Sequence, residues 1–435
     1  MTTEATQTAP ASATATATAF ARDPSPLATA VAAADHLDER LRAFVWRPES
    51  YPATQNTSGP LAGIPVAVKD LIDTADMPTA YGSAIFAGHQ PAADAWIVAR
   101  LRQAGAIIFG KTVTTEFAWR DPGATVNPWH PGYTPGGSSS GSAAAVGAGI
   151  VDIALGTQTV GSVIRPAAYC GAYGYKPTFG RIPTEGTHKL APSLDHLGFI
   201  TSSLYWSAVM HAVIVRDGAI APPVSASAFH AGVKPARVGI YRSSRWAQVQ
   251  GDVQQNVDGV LRRLERQGVA CVPVELPVDL VEMHALINEI LAYEARAALL
   301  DDIRGKEDLA GPNIRALIEA GAAISDARYE ELCARLASLR AERDRVFDGL
   351  DAVLTLPSPT TALPGLDKTG DAIFCTPATL LGLPAVTLPS GYSSDFLPFG
   401  VQLIGPGDQD LALLQHAQWI STILPTIRPA QRMGN

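Results

Sequence analysis

A chain of 435 residues, 47% hydrophobic and 17% charged, can bury a large core as one big α/β domain or two intimately packed lobes. Its 33 basic side chains against 41 acidic ones give a formal charge of -8, so the basic footprint that phosphate-backbone binding needs is missing and nucleic acid is excluded as a direct partner. The four cysteines, Cys170, Cys271, Cys333 and Cys375, stand far apart with no CxxC pair, the usage of reduced, mostly buried thiols in a cytoplasmic protein.

In chain order, MTTEATQTAPASATATATAF has no Lys or Arg before Arg22 and no continuous apolar core, so it fails as a secretory signal or an Arg-rich transit peptide. Residues 1–25 read as a disordered Ala/Thr-rich tail and 26–435 as a single domain. PLATAVAAADHLDERLRAFVW (26–46) carries apolar residues at helical spacing and is expected to be a helix packed on the body. PLAGIPVAVKD (60–70) is a β-branched run ending at Lys69 and Asp70. WIVARLRQAG (96–105) is helical with a Gly stop, and AIIFGK (106–111) a short buried strand. This alternation implies a mostly parallel or mixed sheet covered by helices. SAAAVGAGIVDIALG (142–156) is too short and too Gly-rich to span a membrane, and it contains Asp152. Further on, ARVGIY (236–241) and VACVPVEL (269–276) are strand-like around the amphipathic helix VQQNVDGVLRRLERQG (253–268). YEELCARLASLRAERDRVF (329–347) puts Leu332, Leu336 and Leu339 on one face of a surface helix. DAVLTLPSP (351–359), LLGLPAVTLPSG (380–391) and LPFGVQLIG (397–405) look like strands returning to the same sheet.

The most unusual segment is TPGGSSSGSAAAVGAG (134–149), followed by the apolar IVDIAL (150–155) and GTQTVGSVIRP (156–166). Each half is a Gly/Ser/Thr turn leading into a helical or apolar run, and such turns point several backbone N–H groups in one direction, where negative charge is held. A flexible linker is a poor reading, because the segment is embedded between runs that want burial. A phosphate loop would need a Lys-Ser/Thr ending. Gly137, Ser139 and Gly141 match GxSxG, the nucleophile elbow of α/β-hydrolases. The three prolines of NPWHPGYTP (127–135) argue against the strand that must lead into it, and nothing singles out Asp195 and His196 as its downstream acid and histidine.

A hydroxyl nucleophile can instead use a lysine as its base, if burial keeps the amine neutral. Lys69, at the end of GIPVAVKD, is placed for that. Its pKa would have to fall from about 10.4 to roughly 7, at a desolvation cost on the order of 4 kcal/mol.

GPLAGIPVAVKDLIDTADMPTAYGS (59–83), NPWHPGYTPGGSSSGSAAAVGAG (127–149), GTQTVGSVIRPAAYCGAYGYKPTFGRI (156–182), LAPSLDHLG (190–198) and LLGLPAVTLPSGY (380–392) resemble the blocks of the amidase signature family. They occur in the family's order, over about residues 26–425. The resemblance implies an α/β fold, a large twisted mixed β-sheet sandwiched between layers of helices, and amide hydrolysis by a Ser-cisSer-Lys triad. Lys69 falls at the family's lysine, Ser138 at its bridging serine with a cis peptide bond, and Ser162 at its nucleophile. Ser162 would then form an acyl-enzyme while Ser138 relays a proton to neutral Lys69 and back to the leaving nitrogen. The backbone N–H groups of Thr159, Val160 and Gly161, with that of Ser162, would form the oxyanion hole.

Three positions depart from the family's usual residues: Gln158 stands for Asp, Val160 for Gly and Ile164 for Arg, with an arginine one place later at Arg165. Losing an acid and a base together is expected if they paired, since losing one alone strands a buried charge. The Cβ of Val160 is expected to stiffen the loop or narrow the acyl pocket. Trp119, near Glu116 and Phe117, falls in a region that lines that pocket in similar enzymes, and it is either an aromatic wall or a structural Trp. His188 and His196 read as structural, because a lysine-based triad needs no histidine.

No cofactor is implied: no His/Cys/Asp/Glu cluster has metal-ligand spacing and no dinucleotide fingerprint appears. Two functions follow from the resemblance. One is a stand-alone amidase acting on a small-molecule amide, anilide or carbamate; the other is a glutaminase-type subunit of an amidotransferase complex, passing ammonia to its partner. Similar enzymes are often homodimers, an arrangement the sequence neither requires nor excludes.

Overall fold

The computed structural model describes residues 25–52, 57–214 and 225–427. The expected tail lies outside them except for Ser25, whose Oγ accepts from the Ala28 N–H and caps the first helix. Eleven strands follow in chain order: β1 (Phe44–Trp46), β2 (Pro65–Lys69), β3 (Ile107–Thr112), β4 (Ile153–Gln158), β5 (Tyr173–Lys176) and β6 (His196–Thr201). The later ones are β7 (Arg237–Tyr241), β8 (Ala270–Val274), β9 (Ala352–Thr355), β10 (Ala385–Tyr392) and β11 (Pro398–Ile404). The α-helices are α1 (Pro26–Leu41), α2 (Trp96–Gln103), α3 (Ser140–Gly147), α4 (Ile164–Tyr169), α5 (Leu204–Val213) and α6 (Ala226–Ala231). They continue with α7 (Gly251–Arg266), α8 (Leu280–Ile303), α9 (Pro312–Ala322), α10 (Asp326–Ala341), α11 (Thr376–Leu380) and α12 (Asp410–Ser421).

All eleven strands form one mixed sheet in the order β1-β3-β2-β4-β6-β5-β10-β11-β9-β7-β8. Strand β2 runs parallel to β3 and β4, β4 to β9 is linked by antiparallel pairs through β6, β5, β10 and β11, and β7 is parallel to both β9 and β8. Every residue of β2, β3, β4 and β6 is buried, as expected for strands covered on both faces. Alternation sorts their side chains. Val66 and Val68 of β2 join a core built with α2, α5, α7 and α12, whereas Ala67 between them joins one built with α1 and α3. A further core gathers α8, α9, α10 and α11.

Two expectations change at their boundaries. The helix expected over 26–46 stops at Leu41, because Arg42 turns left-handed (φ 53) while donating to the Asp38 carbonyl; the Ala43 N–H then goes to the Asp38 carboxylate. Residues 44–46 instead pair antiparallel with β3 as an edge strand. The surface helix expected over 329–347 begins earlier, at Asp326 with Ser325 as its cap, and gives way to a 3-10 turn from Arg343. Leu332, Leu336 and Leu339 are buried as expected. No helix among the described residues is long and apolar enough to cross a membrane.

Candidate active site

The site grows from the carboxyl ends of two parallel neighbours, β2 and β4. Their register sets Val68 beside Leu155, which brings the strand ends that follow, with Lys69 on one and Gly156 and Thr157 on the other, side by side. Lys69 Nζ donates to Thr157 Oγ1 at 2.6 Å and lies 2.7 Å from Ser138 Oγ. The Lys69 side chain is fully buried. Burial holds its pKa well below the usual lysine value, against the weaker opposing pull of the Asp195 carboxylate.

Ser138 arrives on the turn before α3. Gly136 there has φ +80, and a Cβ on it would come within 2.9 Å of Pro166, so only glycine suits the position. The Gly137–Ser138 peptide is cis. Helix α3 is pinned to the sheet by Ser142, whose hydroxyl bonds Thr112 Oγ1 and the Leu155 carbonyl. The GxSxG serine, Ser139, is fully buried under Gly156 and exchanges its bonds with the Thr157 backbone. It does not line the cavity described next.

That cavity, of about 690 Å³, is lined by Ser138, Thr159, Val160, Gly161, Ser162 and Arg165 on one side. Trp119, His284 from α8, Asn313 from α9 and the segment around Thr369 line it on the others. Ser162 and the three loop residues expected around it are thus brought to one surface with Ser138. The N–H groups of Val160, Gly161 and Ser162 donate to no protein acceptor among the described residues. Gly161 is required by close approach: a Cβ would lie 2.8 Å from Ala372 Cβ and 3.0 Å from Cys375 Sγ.

The departures at 158, 160 and 164 form one neutral arrangement. Gln158 Oε1 accepts from the Val163 and Ile164 N–H groups, capping the start of α4, and its Nε2 donates to Thr379 Oγ1. Thr379 in turn donates to the Val160 carbonyl at 2.7 Å. Val160 is absent from the positive-φ residues and packs against the α8–α11 core, so the loop accepts its Cβ without left-handed backbone. Ile164 is buried in that same core.

The remaining candidates separate. Trp119 lines the cavity with the Arg120 guanidinium 4.8 Å over its ring. Asp195 lies behind the loop, accepting from Thr159 Oγ1 and from the Leu190 and Ala191 N–H groups. His196 is buried on β6; its Nδ1–H donates to the Leu194 carbonyl, and burial holds it neutral, with its pKa far below the usual value. His188 bonds Asp302 at 3.0 Å outside the cavity. Sequence reasoning does not single out Thr157, His284 or Asn313. The first is one of many buried hydroxyls, and the other two come from helices whose approach to the loop is purely tertiary.

The chain matches the Amidase family over residues 30–414. It is 31% identical to a glutamyl-tRNA(Gln) amidotransferase subunit from Synechococcus sp. (strain RCC307), over 84% of each chain. Among solved structures it resembles the peptide amidase of Stenotrophomonas maltophilia, with TM-score 0.80, 26% identity and coverage of 94% of this chain and 96% of that one. It also resembles the corresponding glutamyl-tRNA(Gln) amidotransferase subunit from Thermotoga maritima, with TM-score 0.78, 30% identity and coverage of 93% and 92%. The fold is that of enzymes acting on amide-type C–N bonds. The chain belongs to the amidase family.

Proposed function

We propose that the chain is a serine amidase that hydrolyses a small amide, anilide or carbamate through an acyl-enzyme on Ser162. The observation that carries this is the fully buried Lys69, 2.7 Å from Ser138 at the floor of the cavity that Ser162 lines. A lysine kept neutral by burial accepts a proton at neutral pH.

Ser162 Oγ attacks the carbonyl carbon, forming a C–O bond as the carbonyl π pair moves to oxygen. The Ser162 proton passes to Ser138 Oγ while the Ser138 proton passes to Lys69 Nζ. The oxyanion is held by the N–H groups of the Thr159–Ser162 loop, donors whose individual removal costs about 10²–10³ in kcat in comparable sites. The tetrahedral adduct collapses with cleavage of the C–N bond, and the leaving nitrogen takes the relayed proton. Water then attacks the Ser162 ester by the same relay, releasing the acid. Trp119 serves as an aromatic wall of the substrate pocket, and the single sheet supports reading residues 26–435 as one catalytic domain.

The names of the relatives support a second reading, a glutaminase subunit that works only with partner chains. A fluorophosphonate followed by peptide mapping tests the first. Label is expected on Ser162, lost in Ser162→Ala and kept in Ser139→Ala; label on Ser139 would overturn the mechanism. Turnover of simple amides by the isolated chain separates the stand-alone amidase from the second reading.

A further inference from the structure

Among the described residues, Arg165 is the one deeply buried guanidinium or ammonium that lines the cavity: it is 6% exposed, whereas Arg120 and Lys368 stand exposed. Its Nη2 donates to the Gly137 carbonyl at 2.5 Å and to Thr369 Oγ1 at 3.2 Å. Those acceptors are neutral. Nε is buried without a partner, and among the described residues no carboxylate lies within ion-pairing distance of the guanidinium. Of the buried carboxylates, Asp70 and Asp410 are held by Lys111 and Arg181, Glu116 accepts from Ser83 Oγ and the Gly311 N–H, and Glu294 accepts from Tyr329 Oη and the Ser193 N–H. Asp367 and Asp371 also line the cavity but are exposed; Asp371 accepts from the Ile373 N–H, and its charge favours the Arg165 guanidinium only from beyond ion-pairing distance. A guanidinium remains charged in a protein, and an unpaired buried charge is costly unless something compensates it.

Sequence position says what that something is attached to. The Arg165 N–H bonds the Gly161 carbonyl, so Ser162, in the turn that leads into α4, and Arg165 are three residues apart across one hydrogen-bonded turn, a spacing that on a helix sets Cβ atoms roughly 5–6 Å apart. A group held by Arg165 is therefore only a short chain away from a carbonyl at Ser162.

We infer that Arg165 is a substrate-binding residue that takes a carboxylate on the acyl side, and that the preferred substrate is an amide of a short dicarboxylic acid, with about one to three carbons between the carboxylate and the scissile carbonyl, a spacing set by the i,i+3 geometry. The carboxylate replaces the missing counter-ion, in the planar paired geometry that guanidinium favours. The rest of the cavity is left for the remainder of the acyl chain and the leaving amine. This inference rests on the acyl-enzyme reading for the position of the carbonyl, and it deepens that reading.

The test compares kcat/KM for monoamides of three- to five-carbon dicarboxylic acids with their neutral diamides, in the intact chain, Arg165→Gln and Arg165→Lys. The intact chain should prefer the carboxylate member by roughly 10- to 100-fold, the range for a charge-assisted bond. Arg165→Gln should erase that ratio, mainly through KM, and Arg165→Lys should restore part of it. An equal loss on both members of a pair, or an intact chain that prefers the diamide, would overturn the proposal and leave Arg165 as a strut for the Gly137 carbonyl. Calorimetric binding of the same monoamides to Ser162→Ala, with and without Arg165→Gln, keeps the two readings apart. Carboxylate-selective binding lost in the double variant upholds the anchor even if label maps to another serine, and binding that ignores the carboxylate refutes it even if Ser162 is labelled.

Discussion

With its side chain fully enclosed and two hydroxyls in reach, Lys69 is held by geometry and burial together. Protonating it requires charging an amine in a site where, among the described residues, the Asp195 carboxylate alone opposes desolvation, so the neutral form persists well below the ordinary lysine range. The sign for catalysis follows: kcat/KM falls as pH drops through that lowered pKa and is level above it. A pH-rate profile from 5 to 9 on a small amide checks this; a rate still climbing steeply at pH 9 would refute it. Lys69→Met should keep the fold and lower kcat by about 10²–10⁴, the usual contribution of a general base. Lys69, Ser138 and Ser162 are proposed for these roles because each falls in a short Gly-, Ser- or apolar-patterned block that resembles the amidase signature family. Thr157 has no such mark. A threonine two residues past a strand midpoint becomes a lysine partner only when β2 and β4 pair in parallel.

At the scale of elements, the loop from Thr159 to Val163 is shaped by what its neighbours donate and accept. Gln158 satisfies two buried N–H groups at the start of α4 and links through Thr379 to the Val160 carbonyl. Gln158→Leu keeps roughly the volume and removes the three bonds that the Gln158 side chain makes, leaving Thr379 bonded to the Val160 carbonyl alone. It should destabilise the chain by about 2–4 kcal/mol, as expected for two buried donors left unpaired, and lower kcat as the loop loses its anchor. Urea midpoints beside kinetics measure both; a loss of activity with no shift in midpoint would contradict the capping role. Strand runs rich in branched residues and the Gly-stopped α2 are legible, because burial on both faces leaves a continuous apolar signature. The end of α1 is not, since AFVW continues the helical spacing and only pairing with β3 draws it into a strand. Helix α8, 24 residues long, is not legible either. Its buried positions run around much of its surface against α9, α10 and α11, which blurs the one-sided period that marks an amphipathic helix.

For the molecule as a whole, buried cations shape how stability depends on pH. Lys176 on β5 is fully buried and donates only to the Pro177 and Leu383 carbonyls, and burial lowers its pKa to about 7. The unfolded chain holds a proton there up to about pH 10 that the folded chain has released. Unfolding therefore takes up a proton between about pH 7 and pH 10, and this group makes the folded state more stable as pH rises, by up to about 1.4 kcal/mol per pH unit. Lys176→Met should flatten that slope and raise stability most near pH 7. Urea unfolding of both chains at pH 7, 8 and 9 tests it; parallel curves would show that the lysine stays charged in the fold.

The sequence by itself determined the alternation of strands and helices and the acidic charge balance, and it carries the Gly/Ser-rich blocks whose resemblance to the amidase signature family led to the proposal of Lys69, Ser138 and Ser162. Those are local properties of composition, period and short motifs, each written within a few residues. Tertiary structure alone decided that Ser139 is sealed beneath Gly156 while Ser138 opens into the cavity. It also decided that Gln158 caps α4 without charge, and that Arg165 lines the cavity with no carboxylate in ion-pairing distance among the described residues. Such outcomes depend on which groups arrive from far along the chain, more than 200 residues away for Thr379 and Thr369, and no local pattern records the partner that a buried polar group finds or lacks.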